Sequence, residues 1–199
     1  MKIRYGLSIL LLLISTGCYH DLDAQSVFDQ AMKVVFLHEG GLVNHKADRG
    51  QSTNFGISLR FIQLGKLDLN GDGVIDSKDI IELTKIGATK LYYQHFWKRH
   101  GIERFVDPLV QTKLFDTMIN TGGSRAARIA KKAINRLSKE QIPVNGVLGD
   151  STVALINQLY PNKFLGAFRT EQADFYKALI QQTPSYSVFR HGWLKRAAS

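Results

Sequence analysis

Glu39, Asp48 and Thr53 lie close together in the chain and carry groups that could hydrolyse an acetal linkage. Glu39 stands at the end of an apolar helical run and is followed by Gly40 and Gly41. The negative end of a helix dipole and apolar neighbours both disfavour a carboxylate, so both raise its pKa and suit it to donate a proton. Asp48 sits in the polar stretch Asn44 to Ser52, beside Lys46 and Arg49, where it should stay ionised. Thr53 adds a hydroxyl able to hold a water against it. One carboxyl that keeps its proton and one that does not are what cleavage of a glycosidic bond needs. The same residues also admit a structural reading, with Glu39 a solvated helix end and Asp48 a turn former.

The element that must position Glu39 is a helix. Val27, Phe28, Ala31, Met32, Val34, Val35, Phe36 and Leu37 give an apolar surface broad enough for a largely buried one. Ser26 with Asp29 resembles a capping box and marks its start, and Gly40-Gly41 marks its stop. The only plausible strands lie around Leu42 to Asn54.

The words His38-Glu39-Gly40-Gly41-Leu42-Val43-Asn44, Asp48-Arg49-Gly50 and Thr53-Asn54-Phe55-Gly56-Ile57-Ser58 resemble the glycoside hydrolase family 108 muramidases. Leu42 replaces the family's Tyr, Gln51 a Gly and Ser58 a Thr; none of these removes an acid or a base. The resemblance implies cleavage of the β-1,4 bond between N-acetylmuramic acid and N-acetylglucosamine. It makes Glu39 the acid, Asp48 the base that directs water, and Thr53 the hydroxyl that holds it. Tyr92-Tyr93-Gln94-His95-Phe96-Trp97 and Phe189 to Arg196, similar to the family's closing F-x-x-G-W-x-x-R, extend the resemblance along the chain. Phe115-Asp116 to Asn120-Thr121-Gly122 resembles another family block, so Asp116 and Asn120, with Asn54, are expected to border the substrate groove. A structural role for Asp116 and Asn120 at their helix end is the alternative.

Asp68 to Asp79 fits an EF-hand loop. Asp68, Asn70, Asp72, Asp76 and Asp79 offer side-chain oxygens, Val74 a carbonyl, and Gly73 the sharp turn. Asp79 replaces the usual Glu and has a shorter reach. Calcium here is expected to be structural, flanked by helices over Ile57 to Lys66 and Asp79 to Leu83, and no catalytic cofactor is expected. The six His form no HExxH or HxH arrangement.

Further helices are expected from Thr84 to Trp97, Pro108 to Asn120, Gly123 to Leu137 and Pro161 to Gln182. Val144 to Thr152 resembles a turn of helical peptidoglycan-binding modules, with Asp150 or Ser151 capping the helix after it. The fold class is mainly α: a lysozyme-like catalytic lobe with a small β-hairpin over 25–105, and a helical, peptidoglycan-binding-like lobe over 106–199.

Residues 1–24 read as a leader. Lys2 and Arg4 precede the apolar stretch Leu7 to Ile14, too short to span a membrane as a mature helix. Cys18, the only cysteine, stands where a lipoprotein's lipid-bearing cysteine would; cleavage after Ala24 is the alternative. The protein is thus expected in the bacterial envelope, periplasmic or lipid-anchored, or secreted, and monomeric. A net charge of +9, concentrated at Arg125, Arg128, Lys131, Lys132, Arg136 and Lys139, favours polyanions. For an exported chain that means cell-wall peptidoglycan and not nucleic acid. Two rival functions share these features: a lytic transglycosylase, which needs only one acid/base carboxyl, and a non-catalytic wall-binding protein.

Overall fold

The computed structural model describes the backbone of residues 16–39 and 53–199 and the side chains of 26–38 and 53–199. Helix α1 spans Thr16–Glu39. It begins well before Ser26, so the expected capping box does not start it. Its inward stripe is Phe28, Ala31, Met32 and Val35, all buried, whereas Leu37 is 82% exposed. The helix is therefore one-sided and not largely buried, with the i, i+3, i+4, i+7 spacing of a helix lying on a core.

A two-strand antiparallel hairpin follows, β1 (Thr53–Asn54) and β2 (Ile57–Ser58), with Thr53 opposite Ser58 and Asn54 opposite Ile57. Its two turn residues, Phe55 and Gly56, both have positive φ, 51° and 78°. That is the requirement of a two-residue hairpin whose twist matches its strands. Ile57 and Ser58, expected in a helix, are thus in the hairpin, and Ser58 instead caps α2 (Leu59–Gly65) by accepting from the Phe61 N–H. The rest of the strand region expected over Leu42 to Asn54 lies outside the described residues up to position 52.

The Asp68 to Asp79 loop leads into α3 (Ser77–Glu82), and Thr84 caps α4 (Lys85–Tyr92) through its Oγ1 and the Gly87 N–H. A turn of π-helix, Tyr93–Lys98, continues α4 and turns Trp97 inward. Asp107 caps α5 (Pro108–Thr121), with proline in the first turn where no N–H is needed. Helices α6 (Gly123–Leu137), α7 (Asp150–Gln158), α8 (Pro161–Gln182) and α9 (Arg190–Ala198) complete the chain. Gly149 is the N-cap of α7 and no side chain caps it, so neither Asp150 nor Ser151 has the expected role; Asp150 pairs with Arg104 at 2.8 Å.

Helix α5 lies at the centre. Phe115 on α5 meets Phe28 of α1 and Trp97 edge-on, with ring centroids 5.8 and 5.2 Å apart. A single buried cluster runs from Phe28 to Phe168. The aromatic residues Tyr92 and Trp97 are core, each 1% exposed. On the far side, Tyr176 of α8 stacks on Trp193 of α9 at 5.2 Å.

Two glycines have opposite requirements. A Cβ on Gly123 would stand 2.3 Å from the His100 ring, while one on Gly166 would meet nothing within 4 Å. Gly123→Ala should therefore destabilise by about 1–3 kcal/mol through overpacking. Gly166→Ala, inside α8, should stabilise by about 0.5–1 kcal/mol. Urea denaturation of the two variants checks both signs.

Candidate functional site

Glu39 is the last residue of α1, as its two following glycines led us to expect. In the turn before it, Phe36 and His38 face opposite ways, and each is held. Phe36 packs edge-on against Phe55 in the hairpin turn, centroids 6.1 Å apart, and against Tyr92 at 6.5 Å. His38, two residues on and so about 200° around the helix, turns to α5, where its Nδ1 lies 3.0 Å from Asp116 Oδ1. The end of α1 is thereby gripped between the hairpin that carries Thr53 and the helix that carries Asp116.

The hairpin is itself pinned. The buried Asn54 amide donates to the carbonyls of Ile80 and Leu83 at 3.0 and 3.2 Å, and the Tyr92 hydroxyl donates to the Phe55 carbonyl at 3.0 Å. Asn54 thus ties β1 to the end of α3, and Thr53, half-buried beside it, is held in a fixed strand.

Asp116 is 1% exposed and takes a two-pronged grip from Arg196 of α9: Nε to Oδ2 at 3.0 Å and Nη2 to Oδ1 at 2.8 Å. Arg196 is 6% exposed. A carboxylate only accepts, so His38 must donate through Nδ1. Asn120, four residues on, is exposed and accepts from the Tyr176 hydroxyl at 2.7 Å, which ties α5 to α8. Asp116 and Asn120 thus hold helix to helix.

One turn before Asp116, Lys113 is buried and donates to the Arg196 and Ala197 carbonyls at 2.7 and 3.0 Å. It satisfies the unpaired carbonyls at the end of α9. Burial pushes its pKa down to about 8, opposed by the nearby Asp116 carboxylate and reinforced by Arg169 and Arg196. The roles of Lys113, His38 and Arg196 were not read from the chain. A signal for Lys113 was there: a charge amid Val110, Leu114, Phe115 and Met118, all buried.

In the acidic loop, Asp68 accepts from the Gly71 and Gly73 N–H groups at 2.7 and 2.8 Å, and Gly73 has φ +85°. Asn70 and Asp72 accept from the Asp72 and Val74 N–H groups, and Asp76 from Lys78 N–H. Asp79, 1% exposed, accepts from the N–H groups of Leu69, Asn70 and Asp76. Burial raises its pKa and these amide bonds lower it, leaving it below the ordinary carboxylate value. The donor set suits calcium in type and order. Among the described residues, however, no three acidic, His or Cys side chains converge as metal ligands.

Lys131 leaves the basic face it was expected to share: it is 6% exposed, with Nζ 2.6 Å from Asn145 Oδ1. Arg125, Arg128, Lys132, Arg136 and Lys139 remain exposed. Asp48 and the groove beside it lie outside the described residues. Cys18 is within α1, and no described helix is long and apolar enough to cross a membrane.

Residues 32–122, from the middle of α1 to the end of α5, match the model of the family described as glycosyl hydrolase 108. The structure of Brucella abortus SagA is similar over 87% of this chain and 91% of that one, with a TM-score of 0.69 and 25% identity. No curated protein matches. The match over residues 32–122 supports a glycoside hydrolase.

The depressed pKa of Lys113 sets a pH dependence. Between pH about 8 and 10.5 the unfolded chain still holds a proton that the fold has released. The cost of burying the ammonium is thus complete below about 8 and is relieved as pH rises through that window. Wild-type stability relative to Lys113→Met should rise by on the order of 1–3 kcal/mol across it. Chemical denaturation of both proteins from neutral to alkaline pH measures the difference.

Proposed function

We propose, for a chain whose residues 32–122 match the glycosyl hydrolase 108 family model, that it is an N-acetylmuramidase of that family cutting the β-1,4 bond between N-acetylmuramic acid and N-acetylglucosamine. Glu39 protonates the leaving oxygen. Asp48, with Thr53, directs a water at the anomeric carbon. The observation that carries this reading is the end of α1: Glu39 closes the helix, and the hairpin bearing Thr53 is packed onto its last turns through Phe36 and Phe55. On this reading the acid and the water-holding hydroxyl belong to two elements packed on each other, which supports a positioned catalytic pair.

Room for a water between the carboxyls means a separation of about 6.5–9.5 Å and inversion at the anomeric carbon. Asn54, Asp116 and Asn120 border the groove mainly by holding its walls: Asn54 fixes β1, and Asp116 and Asn120 fix α5. The exposed basic residues of α6 face the carboxylates of the wall. Export through the leader brings enzyme and wall together, and cleavage before Cys18 or after Ala24 leaves Val27 to Glu39 intact.

Calcium is proposed to bind the loop through Asp68, Asn70, Asp72, the Val74 carbonyl, Asp76 and Asp79. It would clamp α2 to α3 and so steady the carbonyls of Ile80 and Leu83 that hold Asn54.

Mass spectrometry of products from purified sacculi tests the reaction. Wild type should release muropeptides with reducing ends, seen first as the α anomer by proton NMR before mutarotation, and Glu39→Gln should lose activity by at least about 10²-fold. Anhydromuramic ends, lighter by one water, with Asp48→Asn still active, would establish a transglycosylase instead. For the loop, calcium in place of chelator should raise the melting temperature, by about 2.7 kcal/mol equivalent at a hundredfold excess over Kd. Asp68→Ala should abolish that response; a wild type indifferent to calcium refutes the metal.

A further inference from the structure

We propose that Arg196, Asp116 and His38 form a positioning relay that fixes the last turn of α1, the turn that ends at Glu39, so that the last helix of the chain serves the reaction. The inference rests on the reading of Glu39 as the acid. Arg196 lies far outside the matched family segment, which ends at residue 122. It nevertheless reaches back to Asp116 with two hydrogen bonds, at 3.0 and 2.8 Å, and both partners are all but excluded from solvent. Asp116 Oδ1 also accepts from His38 Nδ1 at 3.0 Å, and His38 is the residue bonded to Glu39.

The arrangement is directional. A guanidinium bound side-on fixes the plane of the Asp116 carboxylate as well as its place, because both oxygens are engaged. A fixed carboxylate fixes the His38 ring, and the ring, anchored on α5, sets the rotation of the final turn of α1. Helix ends fray because their last carbonyls lack partners. A catalytic acid on a last turn needs an external restraint, and His38 supplies it. Lys113 completes the device from the other side: its ammonium holds the Arg196 and Ala197 carbonyls, so α9 is tied to α5 by backbone as well as by side chain. His38, with a side chain 22% exposed, is the one relay member near solvent.

This assigns work to a charge network that a folding role alone does not explain. A buried pair is a poor source of net stability compared with apolar packing, but it fixes one geometry. Arg196→Ala would strand a buried carboxylate, so the informative variants are milder.

The full-length protein is compared with His38→Ala, Asp116→Asn, Arg196→Lys and Glu39→Gln. Turnover of purified sacculi, KM, sacculus affinity and melting temperature are measured for each. Glu39→Gln should be inactive. His38→Ala and Asp116→Asn should lose about 10²-fold in kcat through misplacement of the acid. Their KM and sacculus affinity should stay within about twofold of wild type. Arg196→Lys, which keeps the charge and part of the hydrogen bonding, should fall between. Wild-type kcat in folded His38→Ala and Asp116→Asn, with Glu39→Gln inactive, overturns the relay and leaves the muramidase reading standing. Equal losses of kcat, affinity and melting temperature also overturn it, as a purely structural role. An active Glu39→Gln removes the acid itself, and the relay with it. If Asp116→Asn does not fold, His38→Ala decides alone.

Discussion

The ion pair between Arg196 and Asp116 is the constraint on which the rest of this structure turns. It is buried, two-pronged and made by residues 80 positions apart. Through it the end of the chain is joined to the central helix, and through His38 the central helix is joined to the end of α1. The two charges lose solvation when buried, and their attraction and hydrogen bonds offset that loss only in good geometry. Any sliding of α9 or α5 would leave a charge uncompensated, so the pair makes alternative packings costly. Lys113 adds a second restraint of the same kind, a buried cation on two helix-end carbonyls.

This arrangement gives the helices beyond the matched segment a task in holding it. Residues 32–122 contain the end of α1, the hairpin and the central helix, while α8 and α9 cover α5 and hold Asp116 and Asn120. The likeness to SagA extends over most of both chains, well beyond the length of the matched family segment. The basic face of α6 is exposed where it can meet a polyanion, except at Lys131, which is drawn into packing by Asn145.

Much of the helical scaffold was legible because its boundaries are set locally. Proline at 108 and 161, Thr84 as a cap and glycine at 122 and 123 act within one turn of themselves, and the elements begin or end there. The start of α1 was misread for the same reason: Ser26 can cap, but nothing in Ser26 and Asp29 prevents a helix from continuing through them. The strand Ile57–Ser58 was missed because the turn before it uses Phe55 at positive φ, where local rules call for Gly or Asn. Lys113 carried a signal, a charge amid apolar positions, but its partners and the roles of Arg196 and His38 could not be read from spacing, since packing brings them together. In the acidic loop, the order of oxygen donors was visible, whereas the engagement of Asp79 by three backbone amides was not.

Hydrogen exchange at the end of α1 addresses the central interaction most directly. The amides from Phe36 to Glu39 should exchange markedly faster in Asp116→Asn than in wild type, while those from Phe28 to Met32, held by the aromatic core, keep their protection. Unchanged exchange across the whole of α1 in that variant would contradict the claim that the buried pair between α5 and α9 holds the end of α1.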